Sequence, residues 1–284
     1  MARVELLSLN QRSLNQPSLN QLTLNQPSLN QLSASQDTEV TISEQAGVRY
    51  LHFGTEWIQG AMRIAKPYAI EIDYVQQMMA WSLFLDPAPR ILQLGLGAGA
   101  LTKFCHRYLP SSATTVVELN HRVQQVAQRW FALPDNDSRL SVVIADAMTF
   151  MTRSAVSNYD VIQVDLYDQH ARGPVLESLA FYRSCRAALS QPGVFVVNLF
   201  GQQESYVRNI YRLRKVFNAR IVLLPPVAAG NIVALCFVGP NLRVERDRLM
   251  QRAQFVQAHL RLPAEAWARA ICGQIEPGES ELVV

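Results

Sequence analysis

Charge is scarce in this chain: only 17% of its 284 residues are Asp, Glu, Lys or Arg, against 49% hydrophobic. The two signs nearly cancel, to a formal +3. The arginines are scattered rather than clustered, which leaves no electrostatic footprint for nucleic acid. No run of about 18 apolar residues exists, so no membrane span is expected. The first residues lack a basic stretch followed by an apolar one, which predicts no secretory signal and a cytoplasmic location. The cysteines, Cys105, Cys185, Cys236 and Cys272, lie far apart with no CxxC pair. That excludes a disulfide framework and predicts reduced thiols. His52, His106, His121, His170 and His259 show no metal-ligand spacing, and no metal is expected.

What is present divides into four stretches. Ser8 to Gln31 repeats SLNQR, SLNQP, SLNQL, TLNQP and SLNQ with a five-residue period. That period matches neither a helical stripe nor a strand alternation, so 1–36 reads as disordered low-complexity sequence. Residues 37–66 hold short β-rich runs from Val40, Val48 and Trp57, punctuated by Gly47 and Gly54. They predict a small antiparallel β-unit. Residues 67–240 predict the main domain, and 241–284 a terminal helix over 243–260 followed by a loose tail.

The main domain opens on a predicted helix from Tyr68 to Leu85, with Ile72, Val75, Met79 and Leu83 at steps of three and four. From Arg90 onward five buried strands alternate with helices, which means an open parallel sheet covered on both faces. The last two strands, RIVLLP and NIVALCFVG, are joined by too short a link for a parallel crossover. They should pair antiparallel. The fold class is therefore α/β, a Rossmann-like sheet of the class I methyltransferase type, preceded by the β-unit.

Ligands of such sheets bind at the carboxyl ends of the strands. The first strand ends in Gly95-Leu96-Gly97-Ala98-Gly99, which allows a sharp turn and close approach to a nucleotide. The same spacing fits a dinucleotide fingerprint or a purely structural turn. Glu118, ending the second strand, can accept from ribose hydroxyls or simply start a helix. Asp146-Ala147, after the third, can receive an adenine amine or cap a helix. Asp165 and Asp168, three apart after the fourth, make a concentrated negative site. Such a site can bind an ammonium and take its proton, although a helix cap also explains it.

From Val40 to Gly239 the chain resembles the spermidine synthase (polyamine aminopropyltransferase) family. The motifs that carry the resemblance are Trp57-Ile58-Gln59, Ile72-Asp73-Tyr74, Gly95 to Gly99, Val117-Glu118 and Asp146-Ala147. Tyr159 to Ile162 leading to Asp165 and Asp168, then Gly173-Pro174 and Phe181-Tyr182, complete them. The resemblance implies decarboxylated S-adenosylmethionine as co-substrate and a small polyamine-type amine as acceptor. It implies nucleotide contacts from Gln59, Gly95, Gly97, Gly99, Glu118, Asp146 and Ala147. It also implies Asp165 as proton acceptor, Asp168 as ammonium partner, Tyr74 as a positioning group for the transferred arm, and a homodimer formed through the β-unit. The chain departs from the family at Ala98, where an aspartate would hold the arm's amine, at Val75 and Gln76, and at Gln169. Ala98 keeps two other readings open: a methyltransferase using intact S-adenosylmethionine, and a nucleotide-binding relative without turnover. An NAD site is also permitted by Glu118 and the loop, but Asp146 and the acid pair give it no hydride-transfer rationale.

Overall fold

Strands that are covered on both faces need apolar side chains at every position, and the centre of this chain supplies them. In the computed structural model, which describes residues 39–154, 158–168, 173–201 and 205–284, every residue of strand β7 (Tyr159–Val164) is buried. Its neighbours are β4 (Arg90–Leu94) on one side and β8 (Leu189–Phe200) on the other. Beyond β4 lie β5 (Ala113–Glu118) and β6 (Leu140–Ile144); beyond β8 lie β10 (Asn231–Val238) and β9 (Ile221–Leu223). The first five strands run parallel, and β10 pairs antiparallel with both β8 and β9, as the short final link requires. Strand order therefore reverses between β4 and β7, where a crevice opens at the strand ends.

Side chains alternate across the sheet into two cores. Ile91, Val161, Val196 and Leu235 face one layer; Leu92, Ile162, Val197 and Ala234 face the other. Helix α4 (Ala147–Arg153), α5 (Leu179–Ala188) and α6 (Ser205–Val216) cover the second face. The first face is covered by α2 (Ala100–Tyr108), α7 (Arg246–Leu260) and α8 (Ala264–Cys272), with the segment before β4. The antiparallel sheet β1 (Val40–Gln45), β2 (Val48–Phe53) and β3 (Ile58–Arg63) packs with α3 (His121–Trp130) and the glycine loop.

Two expectations need correction. The single helix over Tyr68 to Leu85 is instead a five-residue helix, α1 (Asp73–Gln77), followed by a separate 3₁₀ turn, Ala80–Leu83. Residues 78 to 83 are buried all round rather than along one stripe. Met78 O leaves the helical ladder and accepts from Gln163 Nε2 at 2.9 Å, while Met79 O accepts the i+3 bond of the 3₁₀ turn from Ser82 N at 3.0 Å together with Ser82 Oγ at 2.8 Å. The expected loose tail is ordered. α8 buries Trp267, Ala268 and Ile271 against the 3₁₀ turn, and β12 (Glu281–Val283) pairs with β11 (Arg243–Glu245). The terminal helix thus begins at Arg246, after β11, not at residue 243. The repeat stretch 1–36 and His170 lie outside the described residues.

Candidate active site

The crevice at the switch point is a cavity of about 1080 Å³. Its floor is the ends of β4, β5 and β7, and one wall is the three-stranded sheet, which contributes Tyr50, Phe53 and Ile58, with Trp57 from the β2–β3 loop. Gln59, Tyr74, Gly95, Gly97, Glu118, Asp165 and Asp168 all line it. Gly99, Asp146 and Ala147 do not. Gly99 is the left-handed N-cap of α2 at φ 68°. Asp146 is exposed, and its Oδ1 accepts from Thr149 N at 2.7 Å, which makes it the N-cap of α4.

Glu118 holds the glycine loop in shape. Its Oε2 accepts from Leu96 N at 3.0 Å and its Oε1 from Asn120 N at 2.8 Å. Burial pushes its carboxyl up despite these donors. Each oxygen has a second lone pair for a ligand hydroxyl. Asn120 caps α3 through Arg122 N, so the strand-to-helix turn is fixed from both ends.

Asp165 sits at the end of β7, where two donors meet it. Asn198 Nδ2 donates to Oδ1 at 2.9 Å, and the Tyr74 hydroxyl donates to Oδ2 at 3.3 Å. Asn198 is oriented in turn by Asn231, whose Nδ2 donates to its Oδ1 at 3.0 Å. The Tyr167 hydroxyl donates to Asn198 O at 3.1 Å. One side of Asp165 faces the cavity, yet surrounding protein desolvates it and raises its carboxyl above the usual range, against the pull of both donors. The same burial, with the charge of Asp165 beside them, raises the Tyr74 and Tyr167 hydroxyls. Asp168 is placed by its backbone: Gln59 Nε2 donates to Asp168 O at 3.2 Å.

Asn198, Asn231 and Tyr167 were not singled out from the sequence. A signal existed for the asparagines, since Asn198 interrupts the apolar run Val194 to Phe200 and Asn231 is the one polar residue of β10. The loop departure also has a structural partner. A Cβ at Gly60 would lie 2.6 Å from Ala98 Cβ, so β3 rides directly on the glycine loop. Ala98 is 2% exposed.

The lining has one electrical sign. It includes Glu56, Glu71, Glu118, Asp165 and Asp168, and no Lys, Arg or His among the described residues. Glu71 is paired with Arg63, whose Nε donates to it at 3.0 Å. Among the described residues no group of three His, Cys, Asp or Glu could hold a metal ion. No helix among them is long and apolar enough to cross a membrane.

Comparison with known proteins gives the same direction. The spermine/spermidine synthase domain model matches residues 71–233. The polyamine aminopropyltransferase of Neisseria meningitidis serogroup A is 35% identical over 216 residues, 76% of this chain and 82% of that protein. The polyamine aminopropyltransferase of Chromobacterium violaceum is 33% identical over 224 residues, 79% of this chain and 85% of its own length. In structure, a probable spermidine synthase from Corynebacterium glutamicum superposes with a TM-score of 0.63 at 18% identity, over 78% of this chain and 90% of that one. At that identity the likeness is one of fold. The family model and the two aminopropyltransferases carry the assignment: the chain belongs to the spermine/spermidine synthase family.

Proposed function

We propose that this chain transfers an aminopropyl group from decarboxylated S-adenosylmethionine to a polyamine-type amine, with Asp165 as the proton acceptor. The observation that carries the reading is the charge of the cavity lining, five carboxylates and no cationic side chain among the described residues. Such a field favours a sulfonium and an ammonium together. It opposes a pyrophosphate or a free carboxylate, whose repulsion grows in a dry site. The co-substrate would supply an electrophilic carbon beside its sulfonium.

The protein's part is placement, charge and one proton. Glu118 would hold the ribose hydroxyls with the lone pairs left by Leu96 N and Asn120 N. Gly95 and Gly97 let the loop pass close to Asp165 O and Gln59 O, where a Cβ would lie at 2.3 and 3.1 Å. A contact to adenine from Asp146 would use the carboxylate oxygen not engaged in the α4 cap. The acceptor amine has an ordinary pKa near 10.4 and must lose a proton before it attacks. Asp165, raised by burial, is a stronger base than an exposed aspartate, and Asn198 and Tyr74 fix the direction of its lone pairs. Asp168 would hold the ammonium. Tyr74 and Gln59 would position the transferred arm. The rate gain comes from proximity and electrostatics. Association through the three-stranded sheet and a cytoplasmic setting belong to the same proposal.

Methylthioadenosine release with a panel of diamines and triamines tests this. Asp165→Asn should lower release at least a hundredfold; full activity in that variant refutes the base. Calorimetry with the decarboxylated and intact co-substrates tests the charge argument, and tighter binding of the intact form overturns it.

A further inference from the structure

Two glutamines inside the apolar core lie directly beneath the site. Gln93 on β4 and Gln163 on β7 are register partners in the parallel ladder, each 1% exposed. Apolar residues would suit both positions, and a buried amide is costly unless all its bonds are made. Here they form a continuous line. Thr102 Oγ1 donates to Gln93 Oε1 at 2.7 Å, Gln93 Nε2 to Gln163 Oε1 at 2.9 Å, and Gln163 Nε2 to Met78 O at 2.9 Å. The line starts on α2, one turn beyond the glycine loop, and ends on Met78, the C-cap of α1. Met78 N donates in turn to Tyr74 O at 2.9 Å.

Helix α1 has five residues and no side-chain N-cap, so it cannot hold its own shape. Gln76, through Ile70 O, and Gln77, through Pro225 O, also tether it. Gln163 ties its backbone to the strand that leads into Asp165, beside the Tyr74–Asp165 contact itself. Residues two apart on a strand share a face. Gln163 therefore grips the α1 backbone on the same face where Asp165 meets the Tyr74 hydroxyl.

We infer that Gln163, supported by Gln93 and Thr102, is a positioning residue that sets Tyr74 on Asp165 and ties that contact to the glycine-loop helix. This rests on the proposed function for its kinetic consequence only. Gln163→Met keeps volume and removes the bond. It should lower kcat about tenfold with KM for the co-substrate within about twofold. The Tyr74 bond lowers the Asp165 carboxyl, so losing it should move the acid limb of kcat/KM to higher pH. In a Tyr74→Phe background the limb has already moved, and Gln163→Met should move it no further. An unmoved limb in Gln163→Met, or a further shift in the double variant, overturns the inference. Thr102→Val, at the far end of the line, should show the same change more weakly; a wild-type profile there removes α2 from the line. Should the chain prove inactive with every amine, the proposed function falls and hydrogen exchange still decides. Faster exchange of residues 74 to 78 in Gln163→Met supports the tether, and wild-type protection refutes it.

Discussion

Gly95→Ala separates two reasons for a glycine at this point in the loop. The residue stands at φ 96°, and a Cβ there would lie 2.3 Å from Asp165 O and 3.2 Å from Asp165 C. An ordinary carbon–oxygen contact is about 3.3 Å, so the ends of β4 and β7 must part by roughly 1 Å. The left-handed conformation costs an alanine about 1–2 kcal/mol. Parting the strands loosens Asp165 N to Leu94 O (3.0 Å) and Gly95 N to Val117 O (2.9 Å). Those bonds add about 1 kcal/mol each. The total, about 3–4 kcal/mol, is a little over 1 M in urea midpoint for a slope of about 3 kcal/mol/M. Displacing Asp165 by about 1 Å should also cost about a hundredfold in kcat. Urea unfolding and steady-state methylthioadenosine release measure both. If the glycine serves only the approach of the nucleotide, KM alone will rise, with kcat and midpoint unchanged. That result would refute the strand-contact reasoning.

Three further outcomes follow from the same geometry. Burial raises the folded carboxyl of Asp165, so the folded chain holds a proton there that the unfolded chain has released, and this contribution to stability falls as pH rises through the carboxylate range. Asp165→Asn should therefore raise the urea midpoint at pH 7 while abolishing turnover, with little gain below the unfolded carboxylate range; equal gains at both pH values would contradict the sign. Lys103, buried with Nζ donating to Phe131 O at 2.7 Å, is lowered by burial to about 8 from 10.5, so its penalty is present below about pH 8 and relieved above it. The stability difference between Lys103→Met and the parent should shrink as pH rises from 8 toward 10.5, a comparison that cancels the raised cysteine thiols common to both; a constant difference refutes it. Gly60→Ala should weaken co-substrate binding about tenfold by lifting β3 off the loop, and Ala98→Gly should recover part of it by vacating the 2.6 Å contact; calorimetry on the three variants decides.

The sheet was legible because its strands are covered on both faces, and continuous apolar runs between glycines and helices admit few other arrangements. Strand ends then pointed to Glu118 and to Asp165, which the fold brings to one cavity. Asp146 follows the same rule by position, but its carboxylate caps α4, and no spacing distinguishes a cap from a ligand contact. The helix expected over Tyr68 to Leu85 misled for a related reason. Val75, Met79 and Leu83 are buried as their spacing implies, yet Met78, Ala80 and Trp81 between them are buried too. A segment enclosed on all sides carries no stripe to set its period. The Asn198–Asn231 pair was hidden by distance: β8 and β10 bring together residues 33 apart in sequence, and only the antiparallel register makes one orient the other.

Ala98 shows where a one-residue reading of a motif stops. In sequence it is the absence of a carboxylate that would hold the amine of the transferred arm. In the fold it is one half of a contact whose other half is Gly60, 38 positions earlier by their numbers, and Gly60 cannot enlarge without moving the strand or the loop. Position 98 is thus both a point where the loop meets β3 and part of the cavity lining. Under the proposed function, a counter-charge for the arm's ammonium would come from the rest of the lining. Glu118 is committed to the loop through Leu96 N and Asn120 N, and Glu71 to Arg63. The other carboxylates of the lining are Asp165 and Asp168 at the β7 end and Glu56 on the β2–β3 loop, and under the proposed function these are the groups to test as partners for the two cations.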